Sequence, residues 1–260
     1  MNVEAAVRPA SAESIEQQLV AAVGRAELRT KPFDHVFMEG ILSPESYRTL
    51  LASMPDQRFY HFLKHRDALR PDGTSTRLRL YLYPEIVARL PAELRRIWAP
   101  VARALCSKEL ELAFKRKFRE ALEERFKKPA EKVGLYPIPI LLRDQPGYRI
   151  SVHSDVPTKA ITVQFYLPSD ESQRGIGTIF HEAAEGKGFD QTTQMPFLPA
   201  SGYAFPVTQT KSWHSAATVT EADGERITMM VTYYVADSPA TWLKYRLRRV
   251  LLSLGWHPER

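Results

Sequence analysis

The spacing of apolar residues changes period near Leu135, and no other feature of the sequence constrains the fold as much. From residue 11 to about 130, apolar residues recur mostly at helical spacing. Ser14-Ile15-Glu16-Gln17 reads as a capping box leading into Ile15, Leu19, Val20 and Val23. Ser43-Pro44 reads as an N-cap with proline at the first helical position, and Tyr47, Leu50 and Leu51 give that helix an apolar face. Ile86, Leu90 and Leu94 continue the pattern. Leu110, Phe114, Phe118, Leu122 and Phe126 form a long stripe among charges, expected to pack on a sheet rather than to line a partner groove.

From Leu135 to residue 236 the period is two. Ile150 and Val152 alternate with Arg149, Ser151, His153 and Asp155. Ile161, Val163, Phe165 and Leu167 alternate with Thr162, Gln164 and Tyr166. Ile227, Met229, Val231, Tyr233 and Val235 alternate with Arg226, Thr228, Met230, Thr232 and Tyr234. Such alternation builds strands with one face more polar than the other. Glycine and proline interrupt it at Pro146-Gly147, Pro168, Gly175, Gly177, Pro199, Gly202, Pro206 and Asp223-Gly224. About seven short strands broken in this way imply an all-β sandwich or barrel. A basic helix closes the pattern. Leu243, Leu247, Val250, Leu251 and Leu254 share a stripe, with Lys244, Arg248 and Arg249 off it; docking of the helix on the domain is expected ahead of a membrane-surface role.

Composition narrows the function classes. The chain has 260 residues, 44% hydrophobic and 25% charged, enough to bury a sizeable core. No apolar run approaches the ~20 residues needed to span a bilayer, and Met1 to Ser14 shows no apolar signal region. The single Cys106 excludes an internal disulfide and any multi-cysteine zinc site, so a cytoplasmic location is expected. The net charge of +6 is interleaved with acidic residues and reads as a solvated basic surface; it permits a nucleic-acid partner, but no concentrated basic patch interleaved with aromatics supports one.

The chemistry centres on His153-Ser154-Asp155 at the end of a strand. Residues two apart on a strand share a face, so the imidazole and the carboxylate can reach one ion. The best third ligand is His214, in Lys211-Ser212-Trp213-His214-Ser215. Two histidines and a carboxylate on one side of a divalent metal form the facial triad of non-haem iron chemistry. The pattern is weak alone, because His65-Arg66-Asp67 also matches it; that copy lies in a charged segment without alternation and reads as solvated surface. It also spells the start of a kinase catalytic loop, but no glycine-rich phosphate loop accompanies it. His181 is an alternative ligand, with an ordinary surface histidine as the preferred reading; His35, His61 and His257 have no partner pattern.

The context of the second copy is more specific. Pro146-Gly147-Tyr148 precedes it, Lys159 to Leu167 follows as a strand, then come Gly175-Ile176-Gly177-Thr178, Trp213-His214 and Gly224-Glu225-Arg226-Ile227-Thr228. The segment from Tyr148 to Val235 resembles the core of the 2-oxoglutarate/Fe(II)-dependent dioxygenase superfamily. Pro32-Phe33-Asp34-His35-Val36 through Leu42-Ser43-Pro44 to Met54-Pro55 resembles the opening of its prolyl-hydroxylase-like branch. The resemblance implies a mainly β fold with flanking helices: a double-stranded β-helix, or jelly roll, over about 135–236, an N-terminal helical region and a C-terminal helix. Residues 1–30 would be an N-terminal helical extension and residues 31–260 a single oxygenase domain.

It also implies the ligands and co-substrates. His153, Asp155 and His214 would hold Fe(II), and Arg226 would pair with the distal carboxylate of 2-oxoglutarate, since a buried carboxylate needs such a partner. Without the triad, Arg226 reads as a surface arginine paired with Glu221 or Glu225. Tyr166 matches a position that often adds a hydroxyl to that carboxylate; Thr162 and Gln164 share its face, although polarity alone would turn all three to solvent. Trp213 is expected to pack beside the ligand. O2 would be the second co-substrate, succinate and CO2 the by-products, and hydroxylation of an unactivated C–H bond the reaction. An intact Asp155 argues against halogenation, for which related enzymes give up this carboxylate. A small-molecule substrate, amino-acid-like or acidic, is the first expectation and a peptide prolyl hydroxylase the second. A cupin-like metal-binding module is the reading from another class. Residues 56–82, with Arg66, Arg70, Arg77 and Arg79, read as a loop and an edge strand, with a lid as the alternative.

Overall fold

The structure is a computed structural model that describes residues 12–63, 68–184 and 188–256. His65-Arg66-Asp67 and His257 lie outside the described residues. In chain order the elements are α1 (Ala12–Arg25), β1 (Leu28–Arg29), β2 (His35–Glu39), α2 (Pro44–Ala52), β3 (His61–Phe62), β4 (Arg77–Tyr81), α3 (Pro84–Val87), α4 (Ala92–Leu105), α5 (Lys108–Lys117) and α6 (Arg119–Phe126). Then follow β5 (Leu135–Asp144), β6 (Ile150–His153), β7 (Lys159–Tyr166), β8 (Thr178–Ala184), β9 (Gly188–Gln194), β10 (Ser201–Pro206), β11 (Trp213–Ala216), β12 (Arg226–Val235) and α7 (Pro239–Ser253).

The strands form an eight-stranded sheet, β1-β2-β10-β7-β12-β5-β4-β3, and a four-stranded sheet, β6-β11-β8-β9, with antiparallel neighbours throughout. This is the expected jelly roll with flanking helices. Both faces of the large sheet are covered, which explains why alternation misleads on β7. Ile161, Val163 and Phe165 join the core beneath the helices with Trp98, Leu110 and Phe114. Thr162, Gln164 and Tyr166 point the other way yet are as buried, because the small sheet covers them. Their polarity therefore reflects an internal polar pocket, not solvent.

The aromatic stripe packs as expected. It breaks into two helices at Phe118, and Phe114 meets Tyr233 of β12 with ring centroids 6.0 Å apart. Truncating Phe114 to alanine would cost about 3–5 kcal/mol. Ser43 caps α2, its hydroxyl accepting from the Ser46 amide at 3.2 Å. Helix α1 buries Ile15, Leu19, Ala22 and Val23 in the same core as the large sheet. Gly177 has no alternative, because a Cβ there would lie 1.7 Å from the Met195 carbonyl oxygen.

The region before residue 130 is mostly helical, as expected, and β1 to β4 add both edges of the large sheet; β4 is the expected strand, lies one in from the edge and carries Arg77 inward. Three expectations need correction. Eight strands, not seven, fill the stretch from Leu135 to Val235. Helix α1 starts ahead of Ser14, which is therefore not its cap. Helix α7 docks, but through Tyr245 and Leu252; the leucine stripe expected to dock is exposed.

Candidate metal centre

Residues β6 and β11 are hydrogen-bonded neighbours, and their register sets His153 directly across from His214. The two rings lie 4.3 Å apart. Each Nδ1 faces a backbone carbonyl two residues back, Ser151 at 2.9 Å and Ser212 at 3.0 Å. A carbonyl only accepts, so each Nδ1 carries the proton and each Nε2 keeps its lone pair. Asp155 follows β6, and one donor atom from each of the three side chains falls within 4.8 Å of the others. Among the described residues this is the one such group of three. Two imidazoles and a carboxylate on one side of a point fit a divalent ion of the iron type, and the carbonyl contacts supply the outer support that ligating histidines normally have.

Electrostatics keep the donors in ligating form. Burial pushes the His214 imidazole down to about 4, with the Asp155 charge opposing the shift and His153 reinforcing it, so His214 is neutral near pH 7. Burial acts to raise Asp155, but the Lys159 ammonium, His214 and two hydrogen bonds outweigh it and hold the carboxyl below the ordinary aspartate range. Those bonds come from Lys159 Nζ at 2.5 Å and Thr162 Oγ1 at 2.6 Å, one to each carboxylate oxygen.

A cavity of about 90 Å³ opens from this group and is lined also by Arg77, Tyr148, Gln164, Thr178, Tyr203 and Arg226. Arg226 begins β12, is 1% exposed, and donates from Nε to the Ile176 carbonyl at 3.0 Å. One of its terminal nitrogens pairs with Asp144 at 2.9 Å and the other reaches Thr178 Oγ1 at 3.4 Å. Its partner is thus Asp144, neither Glu221 nor Glu225; Glu225 pairs with Arg143 at 2.8 Å. Asp144 serves a second cation, with Arg77 Nε 2.8 Å from its other oxygen. That N–H does not point at the oxygen, which leaves Arg77 Nε buried without a hydrogen bond. Around the cavity three cations (Arg77, Lys159, Arg226) face two carboxylates (Asp144, Asp155), a surplus of one positive charge before any metal is counted.

Polar groups span the floor. Tyr203 donates to Gln164 Oε1 at 2.7 Å, Gln164 Nε2 donates to Thr228 at 2.9 Å, and Thr178 Oγ1 donates to Tyr203 at 3.1 Å. Tyr166 is fully buried beside Arg226, and its hydroxyl accepts from the Thr178 amide at 3.0 Å. Thr162 and Gln164 line the cavity, and Thr162 holds Asp155 there. Tyr203, Lys159 and Asp144 were missed, and Arg77 was named only within the 56–82 stretch. Asp144 gave a faint signal as a carboxylate ending, after Arg143, a strand that is apolar up to Leu142. His181 is neither a fourth member nor a surface residue: it is buried and bonds Ser215 Oγ at 2.8 Å. Trp213 is half-buried and lies against Phe189 at 4.6 Å, away from the core.

A second, larger groove of about 750 Å³ is lined by Phe33, Asp34, Arg125, Glu182, Thr210 and Lys211 among others. Its lining ends at Lys211, the residue before Ser212, whose carbonyl faces His214 Nδ1.

No family model matches the sequence, and no curated protein matches it. Solved structures do. A prolyl hydroxylase from Trichoplax adhaerens, crystallised with a hypoxia-inducible-factor peptide fragment, superposes with a TM-score of 0.50 at 12% identity, covering 86% of this chain and 90% of that one. A prolyl-4-hydroxylase from Pseudomonas putida gives 0.49 at 12% identity, covering 85% and 99%. The carbocyclase SnoK of nogalamycin biosynthesis gives 0.47 at 11% identity, covering 92% and 93%. At these identities the likeness is one of fold.

Proposed function

We propose that this chain is an Fe(II)- and 2-oxoglutarate-dependent oxygenase that hydroxylates an unactivated C–H bond. The observation that carries the reading is a single cavity with a metal-type donor set at one end and a buried arginine pair at the other. His153, Asp155 and His214 would hold the ion. The cation surplus and the unsatisfied Arg77 Nε favour an anionic ligand, and 2-oxoglutarate carries a carboxylate at each end. When bound, iron with 2-oxoglutarate and O2 supplies an oxidant for C–H bonds and releases succinate and CO2. Arg226, fixed by Asp144 and the Ile176 carbonyl, would orient the distal carboxylate, with the Tyr203 and Thr178 hydroxyls within the same network. Lys159 and Thr162 would keep Asp155 ionised and aimed. A cupin-like binding module is less favoured, because it gives no reason to bury Arg226.

The cavity is well below the roughly 300–1,000 Å³ of a drug-sized ligand site, so it suits the co-substrate, and the substrate would approach from outside. A small molecule is the first reading. A peptide is the second, and the larger groove, whose lining reaches Lys211 two residues before β11, is the surface that would receive it. Succinate release with Fe(II), 2-oxoglutarate and ascorbate tests the class. Iron-dependent succinate formation, lost in His214→Ala, is expected; no turnover together with no anaerobic 2-oxoglutarate binding would overturn it. A panel of amino-acid-like acids against proline-containing peptides, scored by stimulation of turnover, separates the two substrate readings.

A further inference from the structure

Helix α7 sits on the domain with its apolar stripe turned outward. Tyr245 and Leu252 are its buried residues, Tyr245 stacks on Tyr136 at 5.4 Å, and Arg249 forks onto Glu85 at 2.7 and 3.0 Å. Helical geometry places Leu243, Leu247, Val250 and Leu254 on the opposite face, with Leu251 at its margin. All five are exposed, from 41% at Leu251 to 71% at Leu254, and Trp242 and Trp256 are 47% and 55% exposed. Single exposed leucines are ordinary, but a contiguous stripe of this size marks a surface that meets something.

The charges around the stripe select the partner. By the same geometry Lys244 and Arg248 flank it on one side and Arg246 on the other, and no aspartate or glutamate occurs from Pro239 to Trp256. The nearby acids are already paired, Glu85 with Arg249 and Asp237 with Lys128 at 2.7 Å. A second copy meeting this stripe face to face would bring two sets of cations together with no acid on either helix to compensate. The stripe calls instead for an acidic surface with apolar depth. The helix is also preformed: Ser238 and Thr241 make a reciprocal cap, each side chain accepting from the other's amide at 3.1 Å. Docking therefore needs no coil-to-helix ordering.

We propose that α7 is a peripheral anchor that lies in the headgroup layer of an anionic phospholipid bilayer, with the leucine stripe inserted and the basic flanks against lipid phosphates. Trp242 and Trp256 suit the interface, where indole rings concentrate. No helix among the described residues is long and apolar enough to cross a membrane, so the association is at the surface. This inference is independent of the oxygenase reading.

The test mixes the full chain with vesicles of phosphatidylcholine alone or of equimolar phosphatidylcholine and phosphatidylglycerol, followed by co-sedimentation and tryptophan emission. Binding to the anionic vesicles is expected, about tenfold or more stronger than to phosphatidylcholine, weakening as salt rises, with a blue shift of tryptophan emission. The exposed-site double variant Leu247→Glu/Val250→Glu should keep the melting temperature and lose the binding and the shift. Lys244→Glu/Arg246→Glu should lose the preference for anionic lipid. Absence of binding by the unaltered chain, or equal binding by Leu247→Glu/Val250→Glu, would overturn the proposal. A lipid-free dimer that this double variant dissociates, without vesicle binding, would also overturn it in favour of self-association.

Discussion

The two ends of the cavity are built on opposite principles. At the metal end, His153 and His214 each spend one nitrogen on a backbone carbonyl and leave the other over. At the arginine end, the Arg226 charge is already compensated, by Asp144, which Arg77 also approaches. One end is a set of donors whose two imidazole Nε2 atoms suit a cation, with Asp155 held by Lys159 and Thr162; the other is an ion-paired group at the heart of the fold. The contrast teaches that losing a residue should damage function alone at the first end, and the fold as well as function at the second.

The largest expected effect is on metal binding. His214→Ala should weaken Fe(II) binding beyond the roughly 10–100-fold typical of changes outside the ligand shell, as read by anaerobic titration. Apo stability, by contrast, should barely change in His153→Ala, a partly exposed position, by less than about 1 kcal/mol in urea unfolding. Arg226→Ala should destabilise the metal-free protein by about 3–5 kcal/mol, because it leaves Asp144 buried with only a misaligned Arg77. Equal stability losses at His153 and Arg226 would break the comparison.

Acid sensitivity should arise at the metal end. His214 titrates near 6.5 when unfolded and about 4 when folded. Between those values the unfolded chain binds a proton that the folded one refuses, so stability falls with pH across that window by about 3 kcal/mol. Urea midpoints measured from pH 7 to pH 4 should show that slope, and His214→Gln should flatten it. The smallest effect is expected for Thr162→Val, which removes one hydrogen bond to Asp155: about 1 kcal/mol of stability and about tenfold in Fe(II) affinity.

The metal end was legible in the sequence because its geometry is local. His153 ends β6 and Asp155 follows two residues on, so the two are neighbours in the chain, and only the approach of His214 needed the fold. The arginine end was half legible. Arg226 stood out only through its family context, and Asp144, 82 residues away, joins it because β5 and β12 pair in register. No local pattern reports such a pairing. Thr162, Gln164 and Tyr166 misled by polarity, because alternation tells two faces apart without saying that a second sheet covers the polar one. The α7 stripe misled in reverse: amphipathicity gives an apolar face but not the direction in which it points.

The claim that joins both ends is that one dicarboxylate spans from the metal to Arg226. Anaerobic calorimetric titration of 2-oxoglutarate into the Fe(II)-loaded protein tests it most directly. One-to-one binding is expected, absent without metal and weakened about a hundredfold in Arg226→Gln, with folded protein confirmed by circular dichroism. Binding that needs no metal, or that Arg226→Gln leaves unchanged, would contradict it.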